Sequence, residues 1–328
     1  MKTETRRTLM GVGAIGLALL LGMAYGVAFL RYEVFPYQLV QDFRARGEPT
    51  HGPWSIGIYE GDTPLDLAPA EGVENPVLTA LDVTDTDAVF VADPFMITEE
   101  GRHLMFFEVL DRATNKGDIA YAVSDDGRSW DYQRIVLDEE FHLSYPYVFE
   151  WEGEYWMVPE TFEDSSVRLY RATSFPEEWE YVGNLLSGYR YTDASLVRHE
   201  NRWWLFVTTI ANDVLNVYHA DDLTGPWQPH AMNPVVKDDL NQARPGGRML
   251  QYDGRLFRLT QDDYPSYGLQ VYAREILELT PSSYVERPVR DEAIVAGSGS
   301  GWNGAGMHHI DAHLVDGRWL AMVDGRSW

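Results

Sequence analysis

One unit recurs five times along this chain, and it restricts the fold more than any other feature. In its first copy, Asp93-Pro94-Phe95-Met96-Ile97 leads to a turn at Gly101 and then to His103-Leu104-Met105-Phe106-Phe107-Glu108. Alternating apolar residues on either side of a tight turn read as an antiparallel strand pair. Tyr145 to Glu160, Asp193 to Thr208, Gly246 to Gln261 and His309 to Asp324 repeat it, each with opening and closing residues 15 positions apart and the turn 8 after the start. Strand-rich repeats about fifty residues long predict a propeller, one blade per copy.

A second marker sits in phase with the first. Ser124-x-Asp126 precedes Trp130, and Trp179, Trp227 and Tyr284 take the equivalent place in the next three copies. The fifth copy ends at Trp328, half built. Asn75-Pro76-Val77 echoes Asn233-Pro234-Val235 at the close of the third copy. Residues 54–81 are therefore expected to complete the fifth blade and close the ring, which removes the exposed sheet edges. The segment 273–279 could pass for a helical turn, but its place in the repeat makes it a strand.

The expected fold class is all-β: a five-bladed β-propeller over 54–328, preceded by one N-terminal transmembrane helix within 1–30 and a linker over 31–53. Thr8 to Leu30 is a 23-residue run without a charge, preceded by Arg6 and Arg7, and is long enough to cross a bilayer. Lys2, Arg6 and Arg7 would stay cytoplasmic, placing the propeller outside the membrane. A cleaved signal peptide, leaving a secreted protein, is the alternative; the lack of a clear small-x-small cleavage site favours the anchor. A net charge of −25 argues against nucleic acid as a partner. The positive charge is almost all arginine, which suits either a high-salt surface or a GC-rich genome. With no cysteine, disulfides and thiolate metal sites are excluded.

In a propeller the inner strand of each blade lines the channel, so the aligned columns converge on one mouth. The opening column is Asp93, Tyr145, Asp193, Gly246 and His309; the closing column is Glu108, Glu160, Thr208, Gln261 and Asp324. Opposed carboxyls whose environments split their pKa values are what glycoside hydrolysis needs. Asp93, Asp193, Glu160 and Glu108 are the candidate catalytic groups; Tyr145, Arg244, Gln261, His309 and Asp324 are candidates for substrate binding. An Asp before Pro also caps turns, and a Glu at a strand end is often merely solvated. The planar fork of Arg244 suits a carboxylate, a phosphate or sugar hydroxyls, whereas Arg248 lies level with Asp311 and suits an ion pair. His309-x-Asp311-x-His313 alternates along one strand and puts His308 on the other face. No cofactor is expected; a channel metal near His309 is the less favoured alternative. Tyr189, Tyr191, Tyr264 and Tyr267 cluster at blade mouths, where aromatic faces stack on sugars.

Ser144-Tyr145-Pro146-Tyr147-Val148-Phe149-Glu150, Met157-Val158-Pro159-Glu160-Thr161, Ala243-Arg244-Pro245-Gly246-Gly247-Arg248 and Tyr267-Gly268-Leu269-Gln270-Val271 together resemble the N-terminal domain of plant glucosamine inositolphosphorylceramide transferases and its stand-alone bacterial relatives. The resemblance covers about residues 54 to 328. In the plant proteins a separate glycosyltransferase domain follows, so the name "transferase" does not pass to the propeller itself. More distantly, Ala92-Asp93-Pro94 and Thr192-Asp193-Ala194 resemble the base and modulator motifs of five-bladed furanosidase-type glycoside hydrolases. Those enzymes open their fourth blade with an acid glutamate, where this chain has Arg244-Pro245-Gly246-Gly247. The resemblance implies a glycosidase-like enzyme acting on cell-surface glycan or glycolipid, with Asp93 as base, Glu160 or Glu108 as acid and Asp193 as modulator. The alternative it implies is a non-catalytic glycan-binding module serving a partner glycosyltransferase.

Overall fold

The computed structural model describes residues 52–328. The expected anchor, 1–30, and nearly all of the expected linker lie outside these residues. Among the described residues no helix is long and apolar enough to cross a membrane.

The chain enters through β1 (Trp54–Thr63) and β2 (Asp66–Pro69), then builds four blades in order. Blade one is β3 (Ala88–Glu99), β4 (Arg102–Asp111), β5 (Lys116–Ser124) and β6 (Asp131–Leu137). Blade two is β7 (Ser144–Trp151), β8 (Glu154–Thr161), β9 (Ser166–Ser174) and β10 (Glu178–Ser187). Blade three holds β11 (Tyr191–His199), β12 (Arg202–Thr209), β13 (Val214–Ala220) and the short β14 (Gln228–Pro229) and β15 (Val236–Lys237). Blade four holds β16 (Leu250–Tyr252), β17 (Arg255–Asp262), β18 (Gln270–Thr280), β19 (Ser283–Pro288) and β20 (Val295–Ala296). The last blade combines β21 (Ile310–Val315) and β22 (Arg318–Arg326) with the two entering strands, in the order β2-β1-β22-β21. All five sheets are antiparallel, and the expected five-bladed propeller and its closure by the N-terminal strands are both observed. In the closing register Ile56 faces Asp324 and Ile58 faces Met322.

The repeat has local causes. The turn residues Gly101, Gly153, Asn201, Gly254 and Gly317 all take left-handed φ between 63° and 83°, which glycine and asparagine tolerate. The echoed asparagines do one job in two blades. Asn75 accepts from Ile58 N–H and donates to its carbonyl at 2.8 and 3.0 Å. Asn233 does the same to Val217 at 2.8 and 2.7 Å. Each side chain substitutes for a strand along an exposed stretch of ladder. The outer tryptophans donate to nearby carbonyls, Trp130 to Gly127, Trp179 to Pro176 and Trp227 to Leu223. The segment 273–279 is strand, within β18.

Blade four departs from expectation at its opening. A continuous inner strand from Arg244 would line the channel, but regular pairing starts only at Leu250. Pro245 has no N–H to give to a ladder, and Gly247 adopts φ 133°. Gly247 instead forms a parallel bridge to Ile310 of the next blade. A Cβ there would lie 1.8 Å from the Ile310 carbonyl oxygen. Gly247→Ala is therefore expected to destabilise the propeller by roughly 2–5 kcal/mol, from strain and overpacking together; denaturant unfolding measures it.

Candidate active site at the channel mouth

The opening column is held by strained backbone. Asp93, Tyr145 and Asp193 have φ of 54°, 46° and 49°. Each lies where its strand pair skips register, between Ala92 and Phe95, Ser144 and Tyr147, and Thr192 and Ser195. A non-glycine residue in this region costs on the order of 1–3 kcal/mol. The bulges turn the ends of three inner strands toward one mouth.

Closing-column carboxyls hold these bulges in place. Asp324 of blade five accepts the Asp93 N–H at 3.1 Å. Glu160 of blade two accepts the Asp193 N–H at 3.0 Å. At blade two the task passes elsewhere, because the Tyr145 N–H goes to Asp93 Oδ2 at 3.3 Å. Glu108, which holds the corresponding place in blade one, is left free of it. Its Oε1 is buried without a hydrogen-bond partner among the described residues. His142 Nε2 lies 3.4 Å away, long for a hydrogen bond. His142 Nδ1 accepts the Gly117 N–H at 2.9 Å, so the neutral ring carries its proton on Nε2, facing Glu108. Burial keeps His142 neutral by lowering its pKa.

The carboxyls differ in charge state. Burial, reinforced by Asp93 and Glu160, holds the Glu108 pKa well above the ordinary carboxylate value. Burial and the Asp193 charge do the same to Glu160. Burial raises Asp93 to about 7 against the pull of His308, with Asp193 and Asp324 adding to the rise. Asp324 is lowered, because His308 outweighs the burial that would raise it. The mouth thus holds protonated and ionised carboxyls side by side.

Asp193 sits under a cationic clamp. Arg244 Nε and Nη2 donate to its two oxygens at 2.6 and 3.2 Å. Gln261 Nε2 donates to Asp193 Oδ2 at 2.6 Å and to the Pro245 carbonyl at 2.8 Å. Arg244 also donates to Asn212 Oδ1 at 3.0 Å, and its Nη2 lies 3.8 Å from Glu160. The guanidinium stands over the Tyr267 ring, 5.1 Å from its centroid. Tyr267 and Tyr264 are exposed at the rim.

The expected binding residues divide. Arg244 is at the mouth but engaged by Asp193. Gln261 keeps one oxygen, Oε1, with no partner among the described residues. Tyr145 is fully buried; its hydroxyl receives the Gly247 N–H at 2.7 Å and lies 2.8 Å from Ser195 Oγ. It ties blades two, three and four together rather than facing outward. Asp324 is fully buried, and its oxygens accept from the backbone N–H groups of Asp93, His308 and His309 and from the His308 ring. His309 lies inside, against Phe95 and Tyr145 at 4.6 and 5.3 Å between ring centroids. Deeper in the channel Arg248 pairs with Asp311 at 2.5 Å, as its level predicts, and Asp311 also meets His313 at 2.8 Å.

His308, expected to face away, reaches the mouth instead. The alternation argument fails there because the strand begins only at Ile310. Asn212 and His142 lie outside both columns, and no periodicity in the sequence marks them.

Carboxyl-loading on Glu108 has a measurable consequence. A carboxyl whose folded pKa is above its unfolded one binds more protons folded than unfolded. Its contribution is fully favourable below the ordinary value of 4.5 and is lost as pH climbs toward the folded pKa. Across that window the loss is roughly 1.4 kcal/mol per pH unit. Glu108→Gln should remove this slope and raise stability at pH 7, as read from unfolding at pH 4 to 8.

These features define a closed five-bladed propeller with a carboxyl-rich mouth held by bulged inner strands. The chain belongs to the family described as glucosamine inositolphosphorylceramide transferase 1, N-terminal, which matches residues 47–326. Glucosamine inositolphosphorylceramide transferase 1 of Oryza sativa subsp. japonica is 39% identical over 298 residues, covering 84% of this chain and 40% of that protein. The Arabidopsis thaliana protein of the same name is 36% identical over 303 residues, covering 85% and 39%. The chain thus spans about 40% of the length of these relatives. Among solved structures, a glycosyl hydrolase from Bacteroides ovatus superposes with TM-score 0.55 at 11% identity, covering 79% of this chain and 92% of that one. Zg3597, a family 117 glycoside hydrolase from Zobellia galactanivorans, gives 0.51 at 13% identity, covering 83% and 91%. At such identities the likeness is one of fold.

Proposed function

We propose that this propeller is a carbohydrate-active, glycosidase-like enzyme acting on a cell-surface glycan or glycolipid headgroup at the carboxyl-rich mouth. One observation carries the reading: Asp93 and Glu108 are buried carboxyls that no arginine clamps, and Glu108 Oε1 has no hydrogen-bond partner among the described residues. Asp93, titrating near neutrality, is the base that takes a proton from water. Glu108, protonated and with an oxygen to spare, is the acid that gives one to the leaving oxygen. Glu108 suits this role better than Glu160, whose Oε2 already accepts the Asp193 N–H. Asp193 orients Arg244, and Tyr264 and Tyr267 offer rim surfaces on which sugar rings stack. Residues 8–30 would anchor the chain with the propeller outside, next to such a substrate; resistance of the full chain to carbonate extraction from membranes tests this.

A second reading follows from Arg244. It neutralises Asp193 at the blade that holds the acid glutamate in furanosidase-type hydrolases, which suits a propeller that binds glycan without cleaving it. Relatives of the same family are named as transferases, and such a module would serve a glycosyltransferase. The deciding experiment incubates the full chain with a glycan and glycolipid panel and records both binding and released sugar. Release supports the enzyme, binding without release supports the accessory module, and neither outcome on any member overturns both.

A further inference from the structure

Two histidines stand side by side where blade five meets the mouth, and acid–base chemistry by Asp93 and Glu108 leaves both without a role. The His308 ring stacks on Trp54, 3.9 Å between centroids at 12°, and meets the Tyr267 ring edge-on at 5.3 Å. Its Nδ1 lies 2.7 Å from Asp324 Oδ2, so the carboxylate accepts the Nδ1 proton and fixes the ring. This turns Nε2 toward Asp93 Oδ1, 3.8 Å away. His309 Nδ1 lies 3.8 Å from the same oxygen. Both ring nitrogens of His309 are fully buried and have no partner among the described residues. A separation of 3.8 Å is too long for a hydrogen bond but short enough for one small molecule to bridge.

We propose that Asp93 Oδ1, His308 Nε2 and His309 Nδ1 cradle the water that attacks the sugar, with Asp324 holding His308 aimed at it. The inference rests on reading Asp93 as the base. In the step, Asp93 takes a proton from the water and the water oxygen bonds to the anomeric carbon. The bond from that carbon to the leaving oxygen breaks, and the leaving oxygen takes the Glu108 proton. His308 acts through Asp93 and the water and is a positioning residue. Asp324 raises the His308 pKa against the burial that would lower it, so the ring donates from Nε2 and favours the ionised form of Asp93. Burial lowers His309 to about 4, leaving it neutral with one nitrogen free to accept. The other groups that bear on Asp93 and His308 are Asp193, Glu108, Arg244, Asp263 and Tyr267. Asp93, His308 and Asp324 also turn ligand atoms within 4.8 Å of one another, a spacing that a divalent ion could use. The proton on a charged His308 works against that occupant.

The test follows the Asp93 carboxyl directly. The full chain is labelled with ¹³C at aspartate carboxyls, and the Asp93 signal is assigned by its loss in Asp93→Asn. Its midpoint near pH 7 is expected to rise by at least one pH unit in His308→Gln. His308→Asn, which likewise removes the ring and its charge but carries a smaller side chain, should raise it as well and serves if His308→Gln does not fold. His313→Gln, at the far side of Asp311, should leave it in place. An Asp93 midpoint that moves in neither variant overturns the proposal. So does calcium or zinc binding by the full chain that His308→Gln abolishes, since an ion would then fill the cradle. A shift of the midpoint in a chain that cleaves no glycan supports the coupling and counts against the hydrolytic reading alone.

Discussion

Asp93→Asn is expected to lower glycan release by about 10²- to 10⁴-fold, the usual contribution of a general base, while leaving the chain folded. The two effects separate because the carboxyl has two tasks. As a hydrogen-bond acceptor it takes the Tyr145 N–H at 3.3 Å, and the asparagine oxygen can still do so. As a base it must be ionised, and an amide cannot be. Stability should not fall with activity. The Asp93 pKa is raised from 3.8 to about 7 in the folded chain, so its contribution is fully favourable below pH 3.8 and is lost as pH rises toward 7. Asparagine has no such loss, and the variant should unfold no more easily than the parent at pH 8. Wild-type release should itself fall off below about pH 7 as Asp93 takes up its proton. Turnover unchanged in Asp93→Asn would sink the assignment of the base.

The blade plan was legible because its cause is local. The turn at each eighth position needs a left-handed φ, and the residues that supply it, Gly101, Gly153, Asn201, Gly254 and Gly317, are visible as letters. The convergence of the two columns followed from geometry common to any propeller. What each column member does there was not legible, because it depends on partners in other blades. Asp193 and Arg244 are 51 residues apart and in different blades, and no periodicity reports that one clamps the other. A carboxylate recurring in the closing column suggested chemistry, yet Glu160 and Asp324 also hold the bulge of the following blade. Glu108 stands apart only because the Tyr145 N–H turns to Asp93. His308 was misplaced by an alternation rule applied two residues before its strand begins. The broken opening of blade four could have been read from Pro245 and Gly247, which disrupt a ladder for separate reasons.

Arg244→Met is expected to destabilise the propeller by about 3–5 kcal/mol, the usual cost of stripping one partner from a buried ion pair. Asp193 is 1% exposed, so water does not replace the lost guanidinium, and Glu160 stands 3.8 Å from the same fork. Gln261 would remain as a donor to Asp193, but a neutral amide does not cancel a buried charge. Removing both partners, as Arg244→Met with Asp193→Leu, should recover most of the loss, because the uncompensated charge goes with the second substitution. Denaturant unfolding of the two single variants and the double variant closes the cycle. A coupling of several kcal/mol would make the pair a structural clamp that presents Tyr267 and the rim, with ligand contacts coming from the outward edge of the guanidinium. A loss below about 1 kcal/mol in Arg244→Met is what a solvated, screened pair gives. That outcome would mean the fork leaves Asp193 readily and is available to hold a ligand anion or sugar hydroxyls, and weakened glycan binding at full stability would then favour the accessory-module reading over the enzyme.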